Sequence, residues 1–148
     1  MISRILLCSD GSEHELKAAA VAAEIAAKFK AEVTVLSVYH APPSALPIGG
    51  VAEPNPYLAL ETMEQLSKEF HDDAQQKTGK IFQDSGVSFE QSREIGQPVE
   101  VIMEMAEKTN SNLIVLGSRG LGGFKRLLMG SVSDGVSHHA HCGVLIVR

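Results

Sequence analysis

The sequence predicts an α/β fold: one open, parallel sheet with helices on both faces. Two observations carry this expectation. Short apolar, β-branched runs alternate with longer stretches of helical periodicity along the whole chain, the pattern of repeated βαβ units. The last unit sets a glycine-rich stretch between an apolar run and a helix start: Gly117-Ser-Arg-Gly120, nine residues, then Gly130-Ser131. The 148 residues suit one domain, 1–148, and a domain of this size buries roughly 70% of its unfolded surface.

Residues 2–8 form an apolar run too short for a helix, hence the first strand; a single early base before so short a run argues against a secretory signal. Ser12-Glu-His-Glu15 has the form of a capping box, with Ser12 at the N-cap and Glu15 reaching back. The helix it opens runs to about Lys30. Leu16, Ala19, Ala20, Ala23, Ala26 and Ala27 give it a small-residue stripe suited to close packing on a sheet. Residues 33–38 are β-branched and apolar, the second strand. Residues 42–56 hold five of the six prolines together with Gly49 and Gly50, and read as a flexible loop or flap.

The second helix is expected over about 57–85, with Leu60, Met63, Leu66, Phe70, Ala74 and Ile81 as its apolar positions and Gly86 as its stop. The third strand follows at 87–93. Gly96-Gln-Pro98 opens the third helix, whose apolar face is Val99, Ile102, Met103 and Ala106. Residues 113–116 form the fourth strand, 131–139 the fourth helix and 144–147 the fifth strand.

Composition narrows the function. The formal net charge of −5 argues against bulk nucleic-acid binding and against anionic membrane surfaces. No apolar run approaches the ~20 residues that span a bilayer. Cys8 and Cys142 read as buried, reduced thiols without a disulfide spacing. The expected location is cytoplasmic.

Strand, glycine-rich turn and helix N-terminus together make an anion cradle, because backbone N–H groups and the helix dipole point the same way. Residues 117–131 also carry Arg119, Lys125 and Arg126 and no acid, a basic island in an acidic chain. Arg119 and Lys125 either neutralise a phosphate or stand as solvated surface bases. If the strand order is 3-2-1-4-5, the topological switch point lies between strands one and four. The turn Ser9-Asp10-Gly11-Ser12 then faces the glycine loop, and Asp10 either meets a ligand or only caps its own turn. The chain lacks the P-loop lysine motif and the dinucleotide fingerprint after strand one. It also lacks the Ser-Gly-Gly-x-Asp-Ser turn of adenylating pyrophosphatases.

Gly-x-x-Gly, nine residues, then Gly-Ser/Thr resembles the nucleotide motif of the universal stress protein family. Gly117 to Ser131 match it without a gap, and the likeness extends over the chain through Ile5-Leu-Leu-Cys-Ser-Asp-Gly-Ser12, Gly96-Gln-Pro98 and Gly130-Ser-Val-Ser133. The resemblance implies a Rossmann-like five-stranded sheet in the order 3-2-1-4-5. It implies Asp10, beside Ser9, at the nucleoside and Val38 along the base. Gly117 and Gly120 would line the ribose and first phosphates. Gly130, Ser131 and Val132 would hold the outer phosphates through backbone N–H groups, and Leu116, Arg119 and Ser133 complete the expected nucleotide-binding residues. The implied ligand is ATP or another adenine nucleotide, with magnesium, and the implied assembly is a homodimer through strand 144–147. Departures from the family pattern are Cys8 and Ser9 in the first strand's end, Asn112 for a common Asp, and Ala140-His-Cys-Gly143 for Ala-Pro-Cys-Pro.

His138, His139 and His141 crowd the end of the fourth helix, and 138 and 141 share a helical face, but no acid or thiol completes a metal site in sequence. His14 and His71 read as exposed helix residues, and His40 follows Val38 near the expected site. No catalytic set is legible. The leading reading is a nucleotide-dependent regulatory module with little or no hydrolysis and an unidentified protein partner. A weak ATPase or phosphotransferase, and a nucleotide-free interaction scaffold, are the alternatives. A phosphorylated receiver is poor, since it needs an acid at the end of strand three and a lysine after strand five.

Overall fold

The computed structural model describes residues 1–40, 56–121 and 129–148. The proline-rich stretch 42–55 and the bases Lys125 and Arg126 lie outside the described residues. Five strands and four helices alternate: β1 (Arg4–Cys8), α1 (Glu13–Phe29), β2 (Glu32–Tyr39), α2 (Pro56–Ser85), β3 (Glu90–Ile95), α3 (Pro98–Lys108), β4 (Leu113–Gly117), α4 (Ser131–His139) and β5 (Gly143–Val147). They build one five-stranded sheet in the order β3-β2-β1-β4-β5, with every neighbouring pair parallel.

The period-two side-chain alternation of the strands splits the core in two. Ile5, Leu7, Val33, Val35, Leu113 and Val115 face α1 and α2. Leu6, Leu36, Ile114 and Leu116 face α3 and α4 through Ile102, Met105, Ala106 and Val136. Continuous apolar runs in β1 and β4 are what a doubly covered strand requires.

Several local expectations change. The buried stripe of α1 is Glu15, Ala18, Ala19, Ala22, Ala23 and Ala26, whereas Ala20 and Ala27 are exposed. An alanine-rich helix carries too weak an apolar contrast to fix its own rotation, so the sheet fixes it. In α2, Leu60 and Leu66 are exposed, and the inward face is Ser67, His71, Ala74, Gln75, Thr78 and Phe82. β3 pairs only from Glu90, opposite Thr34 of β2. Val87 and Phe89 pack on the core ahead of it, and Gly86, at φ +69°, turns the chain while Val87 N–H closes on Phe82 O at 3.2 Å. In α3, Met105 takes a buried place, while Val99 and Met103 are half-buried.

Asn112 ties the starts of β1 and β4 together. Its Oδ1 accepts from Ser3 N–H at 3.0 Å and Arg4 N–H at 3.2 Å, and its Nδ2 donates to Ser3 Oγ at 2.9 Å. Among the described residues no helix is long and apolar enough to cross a membrane.

Candidate functional site

The sheet order places the switch point between β1 and β4, which pair in register from Ile5↔Leu113 to Leu7↔Val115. The Ser9–Ser12 turn and the start of the glycine loop therefore leave the same edge side by side. Asp10 Oδ1 accepts the Ser12 N–H at 2.9 Å across Gly11, which sits at φ +72°. Ser12 caps α1: its Oγ accepts the Glu15 N–H at 3.3 Å and donates to Arg119 O at 3.3 Å. The cap of α1 is thus bonded directly to the loop that follows β4.

Close approach, not positive φ, explains the first two motif glycines. A Cβ on Gly117 would stand 2.7 Å from Glu15 N and from His14 C. A Cβ on Gly120 would stand 2.6 Å from Asp10 Oδ2. The loop is pressed onto the Asp10 turn and the first turn of α1, leaving Asp10 and Gly120 opposed across the junction.

The last glycine opens α4. Gly130 N–H donates to Ser118 O at 2.7 Å and Gly130 O accepts Asp134 N–H at 2.9 Å. Among the described residues no side chain caps this helix. An α-helix has no internal acceptor for its first N–H groups, here those of Ser131, Val132 and Ser133. These donors, with the helix dipole behind them, are what an anion meets. Ser131 is exposed and Val132 half-buried. Ser133 is buried, and its hydroxyl turns inward to Gly130 O at 3.0 Å and Ser118 O at 3.2 Å. It ties the two halves of the motif together and leaves only its backbone N–H for a ligand.

Of the remaining expected residues, Val38 is half-buried beside Cys8 on the α3–α4 side of the sheet. The Leu116 side chain is core. Ser9 is buried and its hydroxyl meets Thr78 Oγ1 at 2.8 Å, away from the loop. Arg119 is half-buried, and Lys125 lies outside the described residues.

A buried polar layer between α1, α2 and the sheet escaped the sequence reading. Glu15 does not close the capping box. It is 2% exposed; both carboxyl oxygens lie 3.1 Å from the Thr78 hydroxyl, and Gly11 N–H also serves it. Burial pushes its pKa up to about 8, more than the Thr78 bond lowers it, and Asp10 pushes the same way. His71, expected on the surface, is buried, with Nδ1 2.7 Å from Ser37 Oγ. Burial, then the neighbouring Arg93, holds its pKa below the ordinary value. Gln75 accepts from Arg93 Nε at 2.7 Å, and Arg93 also pairs with Asp72 at 2.9 Å. Ser67, His71, Gln75 and Thr78 recur at helical spacing, and that polar stripe was the available signal.

Burial, followed by Glu15 and Asp10, raises the Cys8 thiol pKa far above its ordinary value, and burial also raises that of Cys142. Both cysteines are free. The histidines at the end of α4 do not converge. His138 and His139 Nδ1 each lie against a backbone carbonyl of their own helix, at 2.9 and 2.7 Å, and His141 pairs with Glu107 at 2.9 Å. Among the described residues no group of three metal-ligating side chains forms.

Comparison with known proteins agrees with this architecture. The profile of the Universal stress protein family matches residues 1–148. Universal stress protein MJ0531 of Methanocaldococcus jannaschii is 36% identical over all of this chain and 83% of its own. Universal stress protein YxiE of Bacillus subtilis is 32% identical over the full length of both. Among solved structures, the universal stress protein UspA from Lactobacillus plantarum superposes with a TM-score of 0.78 at 25% identity, covering 99% of this chain and 97% of that one. With its sheet order, its glycine loop and these relatives in agreement, the chain belongs to the universal stress protein family.

Proposed function

We propose that this protein is an ATP-binding regulatory module of the stress response, taking up the nucleotide as its magnesium complex with little or no hydrolysis. The observation that carries the reading is the uncapped N-terminus of α4 beside a loop pressed onto Asp10. Backbone N–H donors of Ser131, Val132 and Ser133 face outward for phosphate, while Asp10 and Val38 lie at the nucleoside end. Two proteins of the same fold have been solved with adenine nucleotides, one with cAMP at 23% identity and TM-score 0.70 and one with dAMP at 18% and 0.61. Magnesium would arrive bound to the phosphates of the nucleotide.

Slow turnover follows from the parts that phosphoryl transfer needs. The motif contains no P-loop lysine, and Asp10 Oδ1 is already held by the Ser12 N–H. The proposed assembly is a cytoplasmic homodimer joined through β5, whose outer edge has no strand beside it among the described residues and whose apolar residues are half-buried. Nucleotide occupancy would be read by a protein partner. The test is a calorimetric titration of magnesium ATP into nucleotide-stripped protein, with Gly130→Val as control. Micromolar binding that the substitution removes supports the module. No binding to the wild type turns the reading to an interaction scaffold, and turnover of tens per second turns it to an enzyme.

A further inference from the structure

Glu15 stands where two hydrogen-bond chains meet. Its backbone N–H leads through the Ser12 hydroxyl to Arg119 O, and so into the glycine loop. Its carboxyl leads through Thr78 Oγ1, at 3.1 Å, to Ser9 Oγ, at 2.8 Å, and on to Ala74 O of α2, at 3.4 Å. The second chain holds one hydrogen per hydroxyl and therefore has two directions. With Glu15 ionised, Thr78 donates to Glu15 and Ser9 donates to Thr78. With Glu15 protonated, Glu15 donates to Thr78, Thr78 to Ser9 and Ser9 to the Ala74 carbonyl. One proton reverses the Glu15–Thr78 and Thr78–Ser9 bonds and turns the Ser9 hydroxyl onto the Ala74 carbonyl of α2.

We propose that Glu15 is the proton-carrying link between the nucleotide cradle and α2, and that binding a polyphosphate draws a proton onto it. The inference rests on nucleotide occupancy of the cradle. An anion there adds negative potential to a buried carboxyl whose helix turn touches Gly117, and like charge favours the neutral acid. Burial already pushes its pKa up to about 8 in the free protein, so the exchange falls in an accessible range.

The charged and titratable groups around Glu15 do not replace it. From β1 and its turn come Cys8, whose thiol stays neutral, and Asp10, which acts in the same sense. On α1, His14 Nδ1 lies 3.2 Å from Ser118 Oγ. From α2, Asp73 and Lys77 pair with each other at 2.7 Å beside Gly11. Arg119 is the base of the loop among the described residues, and β4 and β5 contribute no titratable side chain.

The test is calorimetry of magnesium ATP binding between about pH 7 and pH 9.5, in buffers of different ionisation heat, for wild type and Glu15→Gln. A terminal phosphate loses its last proton near pH ~6, below this window. Wild type is expected to take up protons on binding and to bind about tenfold more weakly at the upper limit, one unit of pKa change being tenfold in affinity. Glu15→Gln is expected to bind with neither effect. ATP binding without proton uptake by the wild type, or with equal uptake by both proteins, overturns the link and leaves the nucleotide reading standing. No binding by either protein overturns both. Carboxyl-carbon NMR of Glu15 in the wild type tests the same link without a variant: its titration midpoint rises with nucleotide, or, if unmoved, the link is wrong.

Discussion

Gly117 lies so close to Glu15 that any side chain on it would meet the Glu15 backbone nitrogen at 2.7 Å. The contact joins the first motif glycine to the first turn of α1. The glycine is thus required by the fold before any ligand arrives.

Gly117→Ala is therefore expected to destabilise the protein by ~1–3 kcal/mol, since backbone atoms and not a flexible tip must yield. Denaturant unfolding measures this. An unchanged midpoint would show that the loop can move off α1 freely.

Gly120→Ala should separate stability from binding. Among the described residues its new Cβ meets only the Asp10 carboxylate, through Oδ2 at 2.6 Å, a side-chain tip and not backbone. Stability is expected to stay within ~0.5 kcal/mol, while nucleotide affinity falls roughly tenfold, ~1.4 kcal/mol. Equal loss of both in melting and calorimetry would refute this division.

Thr78→Val removes the hydroxyl shared by Glu15 and Ser9. Two buried polar groups then lose a partner, at a cost of ~1–3 kcal/mol. A neutral effect would mean that water replaces the hydroxyl.

Stability is expected to fall as pH rises from about 4.5 towards about 8, through Glu15. Its folded pKa is raised above the ordinary glutamate value of 4.5 to about 8, so in that window the folded state holds a proton that the unfolded state has lost. The Glu15 contribution present at low pH disappears as pH rises, on the order of a few kcal/mol in all. Glu15→Gln should flatten this slope, and a pH series of chemical denaturations reads it. His71 works at the acid end: its pKa is lowered in the fold, so the unfolded state binds the extra proton and stability drops as pH falls below the ordinary histidine value of 6.5.

The homodimer proposed through β5 is open to a direct check. Light scattering at micromolar concentration should give twice the mass of the chain, and a monomer would remove β5 as the joining edge.

Element sequence and the position of the glycine loop were legible in the sequence, and the sheet order came with the family resemblance. Apolar runs, caps and glycine spacing are local signals, and the right-handed crossover converts a string of βαβ units into a small set of topologies. Given that order, the Ser9–Ser12 turn could be expected to face the glycine loop, whereas the opposition of Asp10 and Gly120 came from the tertiary structure. The rotation of α1 and the inner face of α2 were not legible. Alanine presents nearly the same surface on every side, and Ser67, His71, Gln75 and Thr78 look like solvent residues until Ser37, Ser9 and Glu15 are placed opposite them. Whether a polar side chain is buried depends on a partner distant in the chain, as with Glu15 and Thr78. Only the tertiary structure brings such partners within a hydrogen bond, and it turned the acid expected to close a helix cap into a buried, proton-binding group.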